Sequence, residues 1–121
     1  LRDLACNATQ CLVLYTRTRQ KVKLNGLLVS KTGAVLSSEL LFYLDTVTDD
    51  STGRVVTDGD NFLVFRTELP SNAVYLTGVT AAGALVPSNG RGIFLLTGSS
   101  TDFGAAFNGG KYLVVSTNTG A

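Results

Sequence analysis

Three groups of residues in this 121-residue chain have the types and spacing to do chemistry. The first is Cys6 and Cys11, which enclose Asn7, Ala8, Thr9 and Gln10. A thiolate metal site would need further ligands of the same kind, and the chain holds 2 cysteines and no histidine, too few to complete a tetrahedral set. The pair therefore reads as a disulfide of an oxidising compartment, closed either within its own short loop or to a neighbouring chain. Closed within the loop it stabilises little, because the entropic effect grows with loop length. Asn7-Ala8-Thr9 is also a glycosylation sequon, which makes Asn7 a candidate acceptor in a secreted protein.

The second group is acidic. Asp45, Asp49, Asp50, Asp58 and Asp60 fall close together in sequence, on two stretches rich in turn residues. Loops dense in oxygen can hold Ca²⁺, which takes six to eight oxygen ligands, but the spacing matches no EF-hand. Asp and Gly are also what tight turns require, so solvated turns are the simpler reading and no cofactor is expected.

The third group is the basic row Arg17, Arg19, Lys21 and Lys23, whose alternation places all four on one face of a strand. Such a row can be a solvated face, a guard against unwanted edge pairing, or a contact for an acidic partner such as the Asp-rich loops of another copy. Nucleic acid is not an expected partner. The formal charge is only +1, and Tyr15 is the one aromatic residue near the row.

Catalysis has little to build on. Without histidine the Ser-His-Asp and Cys-His arrangements are excluded, and no two carboxylates occupy clear inward-facing strand positions where burial would separate their pKa values. There is no phosphate-binding glycine loop of the Walker type, since Gly90-Arg91-Gly92 is better explained by hairpin geometry. The chain reads as a non-enzyme.

The elements that carry these residues are strands. From Cys11 to Leu24 one face carries the cations and the other carries Leu12, Leu14, Thr16, Thr18, Gln20, Val22 and Leu24. The thirteen residues from Leu12 to Leu24 in one strand would extend ~43 Å, about twice the usual length, so the segment either bends or leaves its own domain. Asn25-Gly26 then reads as a type I′ turn, with Leu27 to Val29 returning. Residues 37 to 45 fit either an amphipathic helix or a strand, and the β-branched continuation Thr46-Val47-Thr48 favours strand. Asp49 to Gly53 reads as a loop, and further strands are expected at 54–57, 61–66, 73–79, 84–86, 92–97, 103–107 and 111–117, separated by Gly, Pro, Asn and Ser. The aromatic residues, spread along these strands, are expected in the core rather than on a sugar-stacking platform, and the absence of Trp weakens a lectin reading.

Short strands at regular spacing, with no βαβ alternation, give the expected fold: an all-β, antiparallel β-sandwich of jelly-roll or Ig-like type, one domain over residues 11–121 with an extended segment over 1–10. No apolar run approaches the roughly 20 residues of a membrane-spanning helix, so membrane insertion is not expected. The chain starts at Leu1 and has no Met, which points to N-terminal processing and an extracellular or cell-surface location.

The expected function is a structural subunit of a self-assembling, pilus-like filament, a homopolymer. Its N-terminal strand would add to a neighbour's sheet, with Leu12 and Leu14 filling pockets there and Arg17, Arg19, Lys21 and Lys23 at the subunit contact. Two alternatives are a viral coat or capsid decoration protein and a small exported module that binds glycan or Ca²⁺.

Overall fold

The computed structural model describes residues 1–18, 22–42, 49–69, 73–87, 92–97 and 103–116. Among these the chain is all-β with no helix: β1 (Asp3–Cys6), β2 (Gln10–Thr18), β3 (Val22–Ser30), β4 (Leu40–Leu41), β5 (Asp49–Thr57), β6 (Phe62–Leu69), β7 (Ala73–Val79), β8 (Leu85–Val86), β9 (Ile93–Thr97), β10 (Phe103–Asn108) and β11 (Lys111–Ser116). They form three antiparallel sheets. The first has the order β1-β2-β3-β4, the second the order β5-β6-β7-β8 with β9 also on β7, and the third is the hairpin β10-β11. This arrangement is consistent with a β-sandwich. The named pairings join strands adjacent or next but one in sequence.

Alternation along the strands builds two apolar interiors. Leu12, Leu14, Leu24, Leu28, Leu40 and Phe42 from the first sheet meet Val55, Phe62, Val64 and Val79 from the second. The opposite face of the second sheet supplies Phe65 and Val74, with Val56, Leu63 and Leu76 around them, and is covered by Ala105 and Val114 of the hairpin. Fully burying one such side chain stabilises by about 1.5–3 kcal/mol, so the first interior is the main source of cohesion. The period-2 assignment of 73–79 places Val74 and Leu76 on one face and Val79 on the other, as the cluster membership shows.

The long first strand is instead a hairpin. β2 ends at Thr18, and β3 runs back with Thr18 opposite Val22, Arg17 opposite Lys23 and Leu14 opposite Gly26. Asn25-Gly26 therefore lies in the middle of β3, not at a turn, and Gly26 is not among the glycines with positive φ. The glycine is needed for space: a Cβ there would come within 2.9 Å of the Phe42 ring and 3.3 Å of Leu12. The same holds for Gly53, expected in a loop over 49–53. It lies inside β5 rather than in a loop, and a Cβ on it would meet Leu24 at 2.7 Å. In 37–45 the described part contains only the short strand β4 and the buried Phe42, and residues 43–48 lie outside the described residues.

Within residues 1–10, Asp3–Cys6 form a strand of the first sheet. β1 pairs with β2 from Asp3 opposite Leu14 to Cys6 opposite Cys11. The Asp3 carboxylate also accepts the backbone N–H of Val55 at 2.9 Å, which ties β1 to the edge of the second sheet.

Candidate functional site

At one end of the molecule three connections meet. Cys6 and Cys11 face each other across the β1-β2 hairpin and form an intrachain disulfide, which decides between the two pairings the sequence left open. Within the loop it closes, Asn7 folds the chain on itself: its Oδ1 accepts the backbone N–H of Thr9 and of Gln10, each at 2.9 Å. The Asn7 Nδ2 donates to the Asp60 carbonyl at 2.7 Å, and Gln10 Nε2 donates to the Ala81 carbonyl at 2.6 Å. Ala81 in turn donates its N–H to Asn61 Oδ1 at 3.2 Å. The disulfide loop thus docks onto both the β5-β6 and the β7-β8 connections. Asn7 is only 8% exposed, and the nitrogen that a glycan would occupy already bridges two loops.

Asp58 shapes the β5-β6 turn. Its Oδ1 accepts the N–H groups of Asp60 and Asn61, each at 2.9 Å. These two bonds, with a smaller contribution from the Tyr112 hydroxyl, hold the Asp58 carboxyl below its ordinary pKa. Burial first, and then the Asp58 charge, pushes Tyr112 up. A shallow cleft of about 240 Å³ runs beside them, lined mainly by Phe62, Leu63, Val79, Val86 and Tyr112.

The acidic residues do not converge. Asp58 and Asp60 follow the end of β5, whereas Asp49 and Asp50 begin it, a strand length of ~26 Å away, and Asp45 lies outside the described residues. Among the described residues no three His, Cys, Asp or Glu side chains are grouped to hold a metal ion.

At the other end of β2 the basic row is divided. Arg17 and Lys23 are cross-strand partners, and Arg19 and Lys21 lie outside the described residues. Arg17 Nε is 3.5 Å from Glu39, and the Tyr15 hydroxyl donates to the same carboxylate. Burial first, then the hydrogen bond and charge of Glu39, pushes Tyr15 up to about 12, with Arg17 opposing. Lys23 is buried. Leu12 and Leu14, expected to fill a neighbour's pockets, are 0% exposed in the protomer's own core, and β2 is flanked on both sides by β1 and β3.

Two surfaces that sequence reading missed are apolar. On the hairpin, Leu113 and Val115 point away from the second sheet and are 64% and 56% exposed, opposite the small residues Ala106 and Gly104. On β9, Ile93, Phe94 and Leu95 are 56%, 51% and 38% exposed in succession. The signal was present in β11, where Tyr112 to Val115 is apolar on both faces, a pattern that asks for cover on two sides. Comparison with known family models, curated proteins and solved structures found no match, so the functional reading rests on the geometry of this chain.

Proposed function

We propose that the chain is a structural subunit of an exported assembly, and that it associates with copies of itself through surfaces its own fold leaves uncovered. The observation that carries this reading is the outer layer. The β10-β11 hairpin buries one face on the second sheet and turns Leu113 and Val115 to water, where covering them would be favourable. The intrachain disulfide supports export, since such bonds persist in oxidising compartments. Donation of the first strand is not the joint proposed, because β1 and β2 pair within their own sheet and Leu12 and Leu14 fill the protomer's own core.

Sedimentation velocity over a range of concentrations, with negative-stain imaging of the same samples, tests the reading. Mass should rise with concentration, and filaments or closed particles should be visible. A monomer at every concentration overturns it.

A further inference from the structure

We infer that Asn108, at the tip of the β10-β11 hairpin, is a site of spontaneous covalent modification. Its side-chain amide is lost through a cyclic imide, whereas Asn25, which is also followed by glycine, is protected by the fold.

The chemistry needs only the chain and water. The backbone nitrogen of the residue after an asparagine attacks the side-chain carbonyl carbon, and the new C–N bond closes an imide ring. The Cγ–Nδ2 bond breaks, and the side-chain nitrogen leaves as ammonia with the proton that the backbone nitrogen gives up. Water then opens the ring at either carbonyl. Breaking the bond to Cγ gives aspartate, and breaking the bond to the backbone carbonyl gives isoaspartate. Glycine in the second position favours attack, because without a Cβ nothing shields its nitrogen and its torsions are free. What remains to set the rate is whether the nitrogen can reach Cγ.

At Asn108 it can. The residue is exposed and ends β10 opposite Lys111, with Gly109 at φ 59 and Gly110 at φ 84 forming the turn between them. In a two-residue hairpin loop the loop residues give no N–H to the ladder, so the attacking nitrogen of Gly109 is not held by a strand. Among the described residues no atom lies within 4 Å of where a Cβ on Gly109 or Gly110 would stand.

Asn25 has the same following residue and the opposite surroundings. It lies inside β3, between Tyr15 of β2 and Leu41 of β4, and is 1% exposed. Its Nδ2 donates to the Lys23 carbonyl at 3.3 Å. Gly26 sits between Leu14 and Leu40 in the two ladders, under the Phe42 ring. Freeing its nitrogen means parting β3 from its neighbours, whereas the hairpin tip needs only its last rung to open. Local opening costs almost nothing at fraying ends and approaches the whole stability of the fold in core strands. A third such pair, Asn89-Gly90, lies outside the described residues.

The product matters to the hairpin. Either form places a new negative charge across from Lys111, and isoaspartate also lengthens the backbone by a methylene at the rung that sets the β10-β11 register.

The test incubates the whole oxidised protein in mildly alkaline buffer, with and without denaturing urea, and follows loss of amide by mass after trypsin digestion. Cleavage after lysine and arginine leaves Asn25 on the peptide 24–31 and Asn108 on 92–111, both apart from Asn89. Circular dichroism checks that the sample without urea stays folded, and low concentration keeps the result separate from the proposed self-association. In urea the two sites should react at like rates, and in the folded chain Asn108 should react at least about tenfold faster than Asn25. Asn25 reacting as fast as Asn108 in the folded chain overturns the protection. An Asn108 that is silent in the folded chain but reacts in urea overturns the site, and silence of both in urea overturns the chemistry.

Discussion

Asp3 and Val55 are joined across 52 positions of sequence: the Asp3 carboxylate accepts the Val55 amide at 2.9 Å and seals the edge of the second sheet with the first strand of the chain. Replacing Asp3 with Ala leaves that N–H without its acceptor, at a cost of about 1–3 kcal/mol. Asp3→Asn, which keeps a carbonyl oxygen, should cost less. Urea denaturation ranks the two, and an Asp3→Ala variant as stable as wild type would show that the bond contributes nothing.

Gly26 and Gly53 should tolerate side chains poorly for reasons of space rather than backbone conformation. Gly26→Val drives methyl groups into Phe42 and should destabilise by about 1–3 kcal/mol. Phe42→Leu vacates part of that room, so the double variant should be more stable than the sum of the single changes implies. Strict additivity in a denaturant series would count against direct contact.

How far the sequence could be read follows from these glycines. Gly59 in Asp58-Gly59-Asp60 and the pair Gly109-Gly110 do make turns, with positive φ. Gly26 follows Asn25 just as Gly109 follows Asn108, yet Gly26 and Gly53 sit in strands, where Phe42 and Leu24 occupy the space above them. Composition reports that a residue lacks a Cβ, but not whether backbone torsion or a distant side chain requires it. Strand phase was legible where one face is buried, as in β6 and β7. The site was legible only in its disulfide. The docking of Asn7 on Asp60 and of Gln10 on Ala81 joins residues 53 and 71 positions apart, through backbone carbonyls that every residue possesses.

The Cys6–Cys11 bond should be a local clamp. On the chain-entropy model a loop this short stabilises by about 2 kcal/mol at most. Reduction should therefore lower the thermal midpoint while leaving a cooperative fold. Asn7→Ala in the oxidised protein should cost a comparable amount, because it unties the disulfide loop from the β5-β6 turn. Unfolding at ambient temperature on reduction would mean that the loop carries more than its hydrogen bonds suggest.

Tyr15 should titrate at about 12, above the ordinary tyrosine value, in an alkaline absorbance titration. Glu39→Gln should bring it down, since the carboxylate both accepts its hydrogen bond and repels the phenolate. A raised folded pKa stabilises fully below the unfolded value near 10, and that contribution is lost as pH rises from there through about 12. An unchanged titration in Glu39→Gln would remove Glu39 from the cause.

Asp58 runs the other way. Its folded pKa is lowered by the amides of Asp60 and Asn61, so its contribution is present above the unfolded value near 3.9 and fades as pH falls through the folded one. Asp58→Ala should flatten the acid limb of the stability profile, and a limb of unchanged slope would assign it to other carboxylates.

The most direct measurement is sedimentation equilibrium of the unmodified, oxidised chain at low and at high salt. Association through apolar side chains should persist or tighten as salt rises, whereas a contact made by Arg17 and its neighbours would weaken as charges are screened. Self-association that survives high salt is the expected result. A single monomeric species at all concentrations and both salt levels would contradict it.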